Sequence, residues 1–121
     1  MPSVADLLHA NLHDVFGTRD AAARHAAVER TYAADVTFTD PEGTVTGRDA
    51  LEAKAAALLE AAPVDFVFAD DGLRYVSHDT GALAWAFGPA GAPVVRGIDV
   101  ITVRDGVIAS VVTVFAEGQT D

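Results

Sequence analysis

The apolar residues of this chain recur with a helical period up to Pro63 and largely with a two-residue period after it. That change of period constrains the fold more than any other feature. Helical stretches grouped ahead of a run of strands give an α+β arrangement, with the helices gathered on one face of an antiparallel sheet, rather than alternating α/β units. The helical part reads as three segments. The first spans residues 3–16, with Ser3 as N-cap and Asp6 in the first turn. Its apolar stripe is Val4, Leu8, Leu12, Val15 and Phe16, joined by Leu7, and Gly17 ends it. The second spans residues 20–33, capped by Asp20, with Ala23, Ala27 and Tyr32 on its inner side. The third follows Gly47 and runs to residue 62, where Pro63 stops it, with Leu51, Ala55, Leu58 and Leu59 inward.

A short hairpin separates the second and third helices. Residues 36–40 alternate apolar and polar, Asp40-Pro41-Glu42-Gly43 has the residues of a type I turn, and residues 44–46 return. Four longer strands are expected at residues 64–69 (continuing through 73–76), 81–88, 94–104 and 107–115. The connections at 78–80, 89–93 and 105–106 are turn-like, so the strands should form an antiparallel meander. In the last strand both alternating faces are apolar: Val107, Ala109, Val111 and Phe115 on one, Ile108, Val112 and Val114 on the other. A sheet with one face in water does not need this. The expectation is a homodimer in which a second copy covers the outer face of the sheet.

The 121 residues fit a single domain over positions 1–121, and an apolar share of 50% suffices for one core. Cysteine is absent, which removes disulfides, thiolate nucleophiles and cysteine metal sites and fits a reducing compartment. Residues 1–10 lack the basic region and apolar run of a signal peptide. No stretch approaches the ~18 apolar residues that span a bilayer. A formal charge of −10, with the eight Lys and Arg scattered, argues against nucleic acid and membrane partners. A cytoplasmic location is expected.

The sharpest chemical signal is a carboxylate on an apolar face. Along residues 94–104, Asp99 shares its face with Val95, Gly97, Ile101 and Val103, while Arg96, Thr102 and Arg104 take the other. A buried carboxylate must be hydrogen-bonded, paired or protonated. Asp99 is either a polar anchor or proton donor in an apolar pocket, or an acid satisfied by a backbone amide or lying at the sheet rim. Asp40 repeats the pattern with Val36 and Phe38, although its turn position alone also accounts for an aspartate. Trp85 sits with Leu83 and Phe87 opposite Ala82, Ala84 and Ala86, and its indole N–H needs a partner if buried. His9 and His13 have a chelating spacing but lie with Asp6 on the polar side of the first helix, with no third ligand apparent. His25 is expected at the surface and His78 in a turn. No metal site is expected. Phosphate-binding glycine loops and a nucleophile elbow are absent, and Ser3, Ser77 and Ser110 lack a nucleophile's context.

Residues 32–43 (YAADVTFTDPEG) and 97–108 (GIDVITVRDGVI), with residues 45–51 (VTGRDAL) between them, resemble the NTF2-like superfamily, especially its SnoaL-like members. The resemblance implies a cone of three N-terminal helices packed on a curved antiparallel sheet, an internal pocket and commonly a dimer through the sheet. The superfamily holds ketosteroid isomerases, polyketide cyclases, epoxide hydrolases, dehydratases and non-catalytic binders, so fold alone does not give function. The ketosteroid isomerase pattern matches best: Asp40 stands where that pattern has its general base and Asp99 where it has its protonated oxyanion donor. The tyrosine that the pattern has on the first helix is missing, with Leu12 or Phe16 standing nearby. The epoxide hydrolase pattern asks for a further acid where this chain has Val112, Thr113 and Val114. The resemblance thus implies a cofactor-free isomerase or cyclase for a small apolar carbonyl compound. Asp40 and Asp99 would be catalytic, and Leu12, Phe16, Phe38, Trp85 and Gly97 would contact the ligand. The alternatives are a non-catalytic ligand-binding protein and a dimerisation module whose cavity is filled by its own side chains.

Overall fold

A computed structural model describes residues 1–117. The first helix is α1 (Val4–His9). Ser3 Oγ accepts the Asp6 N–H and the Asp6 carboxylate accepts the Ser3 N–H, a reciprocal capping box. The helix continues without interruption as a wider, π-helical segment, Ala10–Phe16, which turns Asn11, Leu12, Val15 and Phe16 all inward. Gly17 follows because a Cβ there would lie 3.0 Å from the Leu12 and His13 carbonyl oxygens. Helix α2 (Ala21–Thr31) starts at Asp20, whose carboxylate accepts the Ala23 N–H. It ends two residues before the sequence pattern suggests. Tyr32 and Ala33 already belong to strand β1 (Tyr32–Asp40), where Tyr32 sits beside Ile108 of the last strand. Pairing and burial of the tyrosine override the helical spacing. Helix α3 (Arg48–Ala61) buries Leu51, Ala55 and Leu59, with Leu58 partly buried against the core.

Strand β1 turns at Pro41-Glu42 into β2 (Gly43–Thr46), with Asp40 opposite Gly43. Strands β3 (Phe66–Val76), β4 (Thr80–Pro89), β5 (Val95–Arg104) and β6 (Val107–Phe115) form the expected antiparallel meander. The six strands lie in the order β2-β1-β6-β5-β4-β3. Strand β1 joins β6 in parallel, a long-range pairing that hairpin signals do not reveal. Register shifts in β3 between Asp70 and Arg74, and across the β5–β6 pair, bend the sheet around the helices. The result is an α+β cone, as the sequence suggests.

The β5–β6 irregularity corrects the assignment of faces in the last strand. Thr102 pairs with Ser110 and Val103 with Ile108, so Ala109 is the extra residue. The alternation therefore changes phase at Ala109. Ile108 and Val111, placed on opposite faces by strict alternation, are both fully buried, whereas Val112 and Val114 face outward. The core contains Leu8, Leu12, Val15, Val28, Tyr32, Leu51, Leu83, Ile101 and Val111. On the outer face Ile98 pairs with Val114 and Val100 with Val112, leaving an apolar surface in which Ile98, Val112 and Val114 are exposed.

Candidate functional site

Three neighbouring strands bring the site together. Asp99 of β5 pairs with Thr113 of β6. Thr39 of β1 pairs with Val112, and carrying that register on by one residue sets Asp40 beside Thr113. The row Asp40, Thr113, Asp99 thus crosses the inner face of the sheet. Adjacent strands lie ~4.8 Å apart, so the two aspartate backbones are roughly 10 Å apart, about the width of one small ring system. Both carboxyls line one cavity of about 480 Å³ between the helices and the sheet. Its wall is otherwise mainly apolar, with Leu12, Phe16, Leu58, Phe68, Phe87 and Phe115 among the lining residues.

Asp99 is 6% exposed. Its Oδ1 accepts hydrogen bonds from Trp85 Nε1 at 3.0 Å and Thr113 Oγ1 at 2.7 Å, and its Oδ2 accepts one from Asn11 Nδ2 at 2.9 Å. Burial disfavours the charged form and pushes Asp99 up to about 6; the three donors pull the other way without cancelling it. Behind Asn11, the buried Tyr32 hydroxyl donates to Asn11 Oδ1 at 2.5 Å. Burial, and then the charge of Asp99, raise the Tyr32 phenol well above its ordinary range, so it stays a donor. That bond turns the Asn11 amide so that its NH₂ faces Asp99.

Asp40 occupies the rim. Its Oδ1 accepts the Glu42 N–H at 2.9 Å, the aspartate-turn bond expected of Asp-Pro-Glu-Gly. Its Oδ2 receives Lys54 Nζ at 3.3 Å, and the same ammonium reaches Glu42 Oε1 at 2.6 Å. The Asp40 side chain is 15% exposed and that of Glu42 80% exposed, so Lys54 bridges an inner and an outer carboxylate. The hydrogen bond to Glu42, the largest influence, raises the Lys54 pKa and keeps it charged.

Leu12, Phe16, Phe38 and Trp85 line this cavity with Asp40 and Asp99. Gly97 has a different place: it lies beneath the indole and not on the cavity wall. A Cβ there would come within 2.5 Å of Trp85 Cζ2 and 2.6 Å of the Val114 carbonyl oxygen. Sequence reasoning passed over Asn11, Tyr32, Lys54 and Thr113. Asn11 left a signal, an amide four residues after Leu7 and four before Val15 on the apolar stripe. Thr113 shares a face with Val111 and Phe115, but both faces of its strand are apolar, so nothing marked that face as the inward one. Lys54 on α3 meets the turn acids only through tertiary structure.

The histidines lie outside this site. His13 Nε2 is 2.7 Å from Asp70 Oδ1, and His25 Nδ1 is 2.8 Å from Glu52 Oε1. Among the described residues no group of three or more possible metal-ligating side chains forms, and no helix is long and apolar enough to cross a membrane.

Residues 9–111 match the family model described as SnoaL-like domain. No curated protein matches the chain significantly. Among solved structures, one similar fold is a candidate isomerase of the SnoaL-like family from Agrobacterium tumefaciens str. C58. It is 21% identical with a TM-score of 0.83, the alignment covering 91% of this chain and 94% of that one. A candidate polyketide cyclase from Sinorhizobium meliloti is 22% identical with a TM-score of 0.70, covering 93% and 94%. A protein of unknown function with a cystatin-like fold from Xanthomonas campestris is 19% identical with a TM-score of 0.73, covering 98% and 93%. At these identities the likeness is one of fold.

Proposed function

The chain belongs to the SnoaL-like domain family, and on that premise we propose that it is a cofactor-free isomerase or cyclase acting next to the carbonyl of a small, mostly apolar molecule. The observation that carries this reading is the presence of two carboxyls, one buried and one at the rim, on a single apolar cavity. In the proposed reaction ionised Asp40 takes a proton from the carbon beside the carbonyl. The C–H electrons move to the carbonyl oxygen as an enolate. Neutral Asp99 donates a hydrogen bond to that oxygen, and the Asp40 carboxylic acid then returns the proton to a different carbon. Trp85 and Thr113 on Oδ1 and Asn11 on Oδ2 fix the Asp99 carboxyl, leaving one position on Oδ2 for the proton it offers the ligand. Filling the cavity removes water and further favours neutral Asp99.

The test uses a β,γ-unsaturated cyclic ketone and follows its conversion to the conjugated isomer. Asp40→Ala should lose nearly all activity and Asp99→Asn should keep part of it. Equal rates in all three proteins would eliminate the mechanism. The rival reading, ligand binding without chemistry, is favoured by the Lys54 bridge, which occupies one of the Asp40 oxygens. A ring phenol that binds while no ketone turns over would select it. The apolar outer face of the sheet supports a homodimer, and a concentration-independent monomer in sedimentation would count against that.

A further inference from the structure

We infer that the same cavity is also a binding site for ring-bearing organic cations, with a ligand ammonium bonded to the open lone pair of Asp99 inside the aromatic wall. The inference uses the cavity of the proposed reaction but does not depend on catalysis. Among the described residues, the charged side chains that line the cavity are Asp40, Glu42, Asp99 and Lys54. Lys54 is already held by Asp40 and Glu42 at the rim. Asp99 therefore has no cationic partner. An ionised carboxylate offers about four acceptor positions, and Asn11, Trp85 and Thr113 fill three of those on Asp99. All three donors are neutral. A buried carboxylate so placed is stabilised by an incoming cation more than by a neutral donor.

The wall has the matching chemistry. The Trp85 ring packs edge-on against Phe68 at 5.5 Å and Phe115 at 5.9 Å, and Phe68 stacks on Phe87 at 4.1 Å. Ring faces within ~6 Å of a cation attract it, most strongly where water is excluded. Among the described residues, the charged or titratable groups around Asp99 are Tyr32 and the rim groups Asp40, Glu42 and Lys54. Tyr32 stands behind Asn11 as a neutral phenol, Asp40 lies across β6 on β1, and Lys54 reaches the rim from α3 in its pair with the two acids. The other charges lining the cavity, two carboxylates against one ammonium, are net negative, as is the whole chain at −10.

The inference turns one carboxyl into a selector: its neutral form suits an enolate or carbonyl oxygen, and its ionised form suits an ammonium. Calorimetric titration of the intact protein with 1-adamantanemethylamine and the near-isosteric 1-adamantanemethanol tests it. At pH 8 the amine is expected to bind at least tenfold tighter than the alcohol. The ratio should fall about tenfold at pH 5, where the amine stays charged and free Asp99 is roughly nine-tenths neutral. Asp99→Asn should abolish the preference at pH 8, and Lys54→Met, which removes the competing ammonium at the rim, should raise the ratio of amine to alcohol affinity. If Asp99→Asn fails to fold, the pH dependence of the wild-type ratio decides. Equal affinities at pH 8, a ratio unchanged between pH 8 and pH 5, or a preference that persists in Asp99→Asn would overturn the inference. Ketone turnover without amine preference would leave the proposed reaction standing and remove only this site; amine preference without turnover would do the reverse.

Discussion

Replacing Thr113 with valine removes one hydrogen bond to Asp99 Oδ1 while nearly preserving shape. The bond is short, 2.7 Å, and both partners are buried. A hydrogen bond to a charged group contributes about 1.5–3 kcal/mol, and one pKa unit corresponds to about 1.36 kcal/mol. Loss of the Thr113 donor should therefore raise Asp99 from about 6 by roughly one to two units. Trp85 supplies the assay. It is the sole tryptophan of the chain, and its indole N–H bonds to the same carboxylate oxygen. A fluorescence titration should show a midpoint near 6 in the wild-type protein and a clear upward move in Thr113→Val. Thr113→Ser keeps the donor and should restore the wild-type midpoint. A valine variant with an unmoved or lower midpoint would refute the claim that donors hold this acid partly ionised against burial.

Two further outcomes follow from the same geometry. Asp99 binds its proton more tightly folded than unfolded, rising from 3.8 to about 6. Its contribution to stability is thus fully present below 3.8 and is lost as pH rises through about 6, a difference of roughly 3 kcal/mol by neutral pH. Urea unfolding of wild type and Asp99→Asn from pH 4 to 7 should show this slope in the first protein and its flattening in the second. Gly97→Ala puts a methyl against the Trp85 ring and the Val114 carbonyl. It should lower stability by about 1–3 kcal/mol in the same assay and disturb Trp85 emission; an unchanged spectrum would mean the indole does not rest on Gly97.

Much of the architecture was legible because it rests on local chemistry. Ser3 and Asp20 cap helices, Pro63 ends one, and Asp40-Pro41-Glu42-Gly43 folds a hairpin. The inward direction of Asp99 was readable because β5 alternates regularly on both sides of it. Other features depend on distant partners. Tyr32 has helical spacing, but its place is set by Ile108 and Asn11. Ala109 carries no mark of a bulge, so Ile108 and Val111 take opposite faces by alternation; with both faces apolar, the inward turn of Thr113, a donor to Asp99, had no sign. Gly97 shares the face of Asp99, yet the size of the indole beside it, which no alternation pattern encodes, takes it out of the cavity wall. The Lys54 bridge joins a helix to a turn fourteen residues earlier and likewise has no local sign.

Proton binding at Asp99 can be observed at its own carbon. The protein labelled with ¹³C at aspartate carboxyls would be titrated free and in the presence of a ring phenol that mimics an enolate. The Asp99 resonance should titrate near pH 6 in the free protein and at higher pH once the phenol is bound, and at fixed pH the phenol should move the Asp40 carboxyl resonance as well. An Asp99 midpoint below 4 in both states, or a phenol that perturbs neither carboxyl, would contradict the two-acid cavity outright.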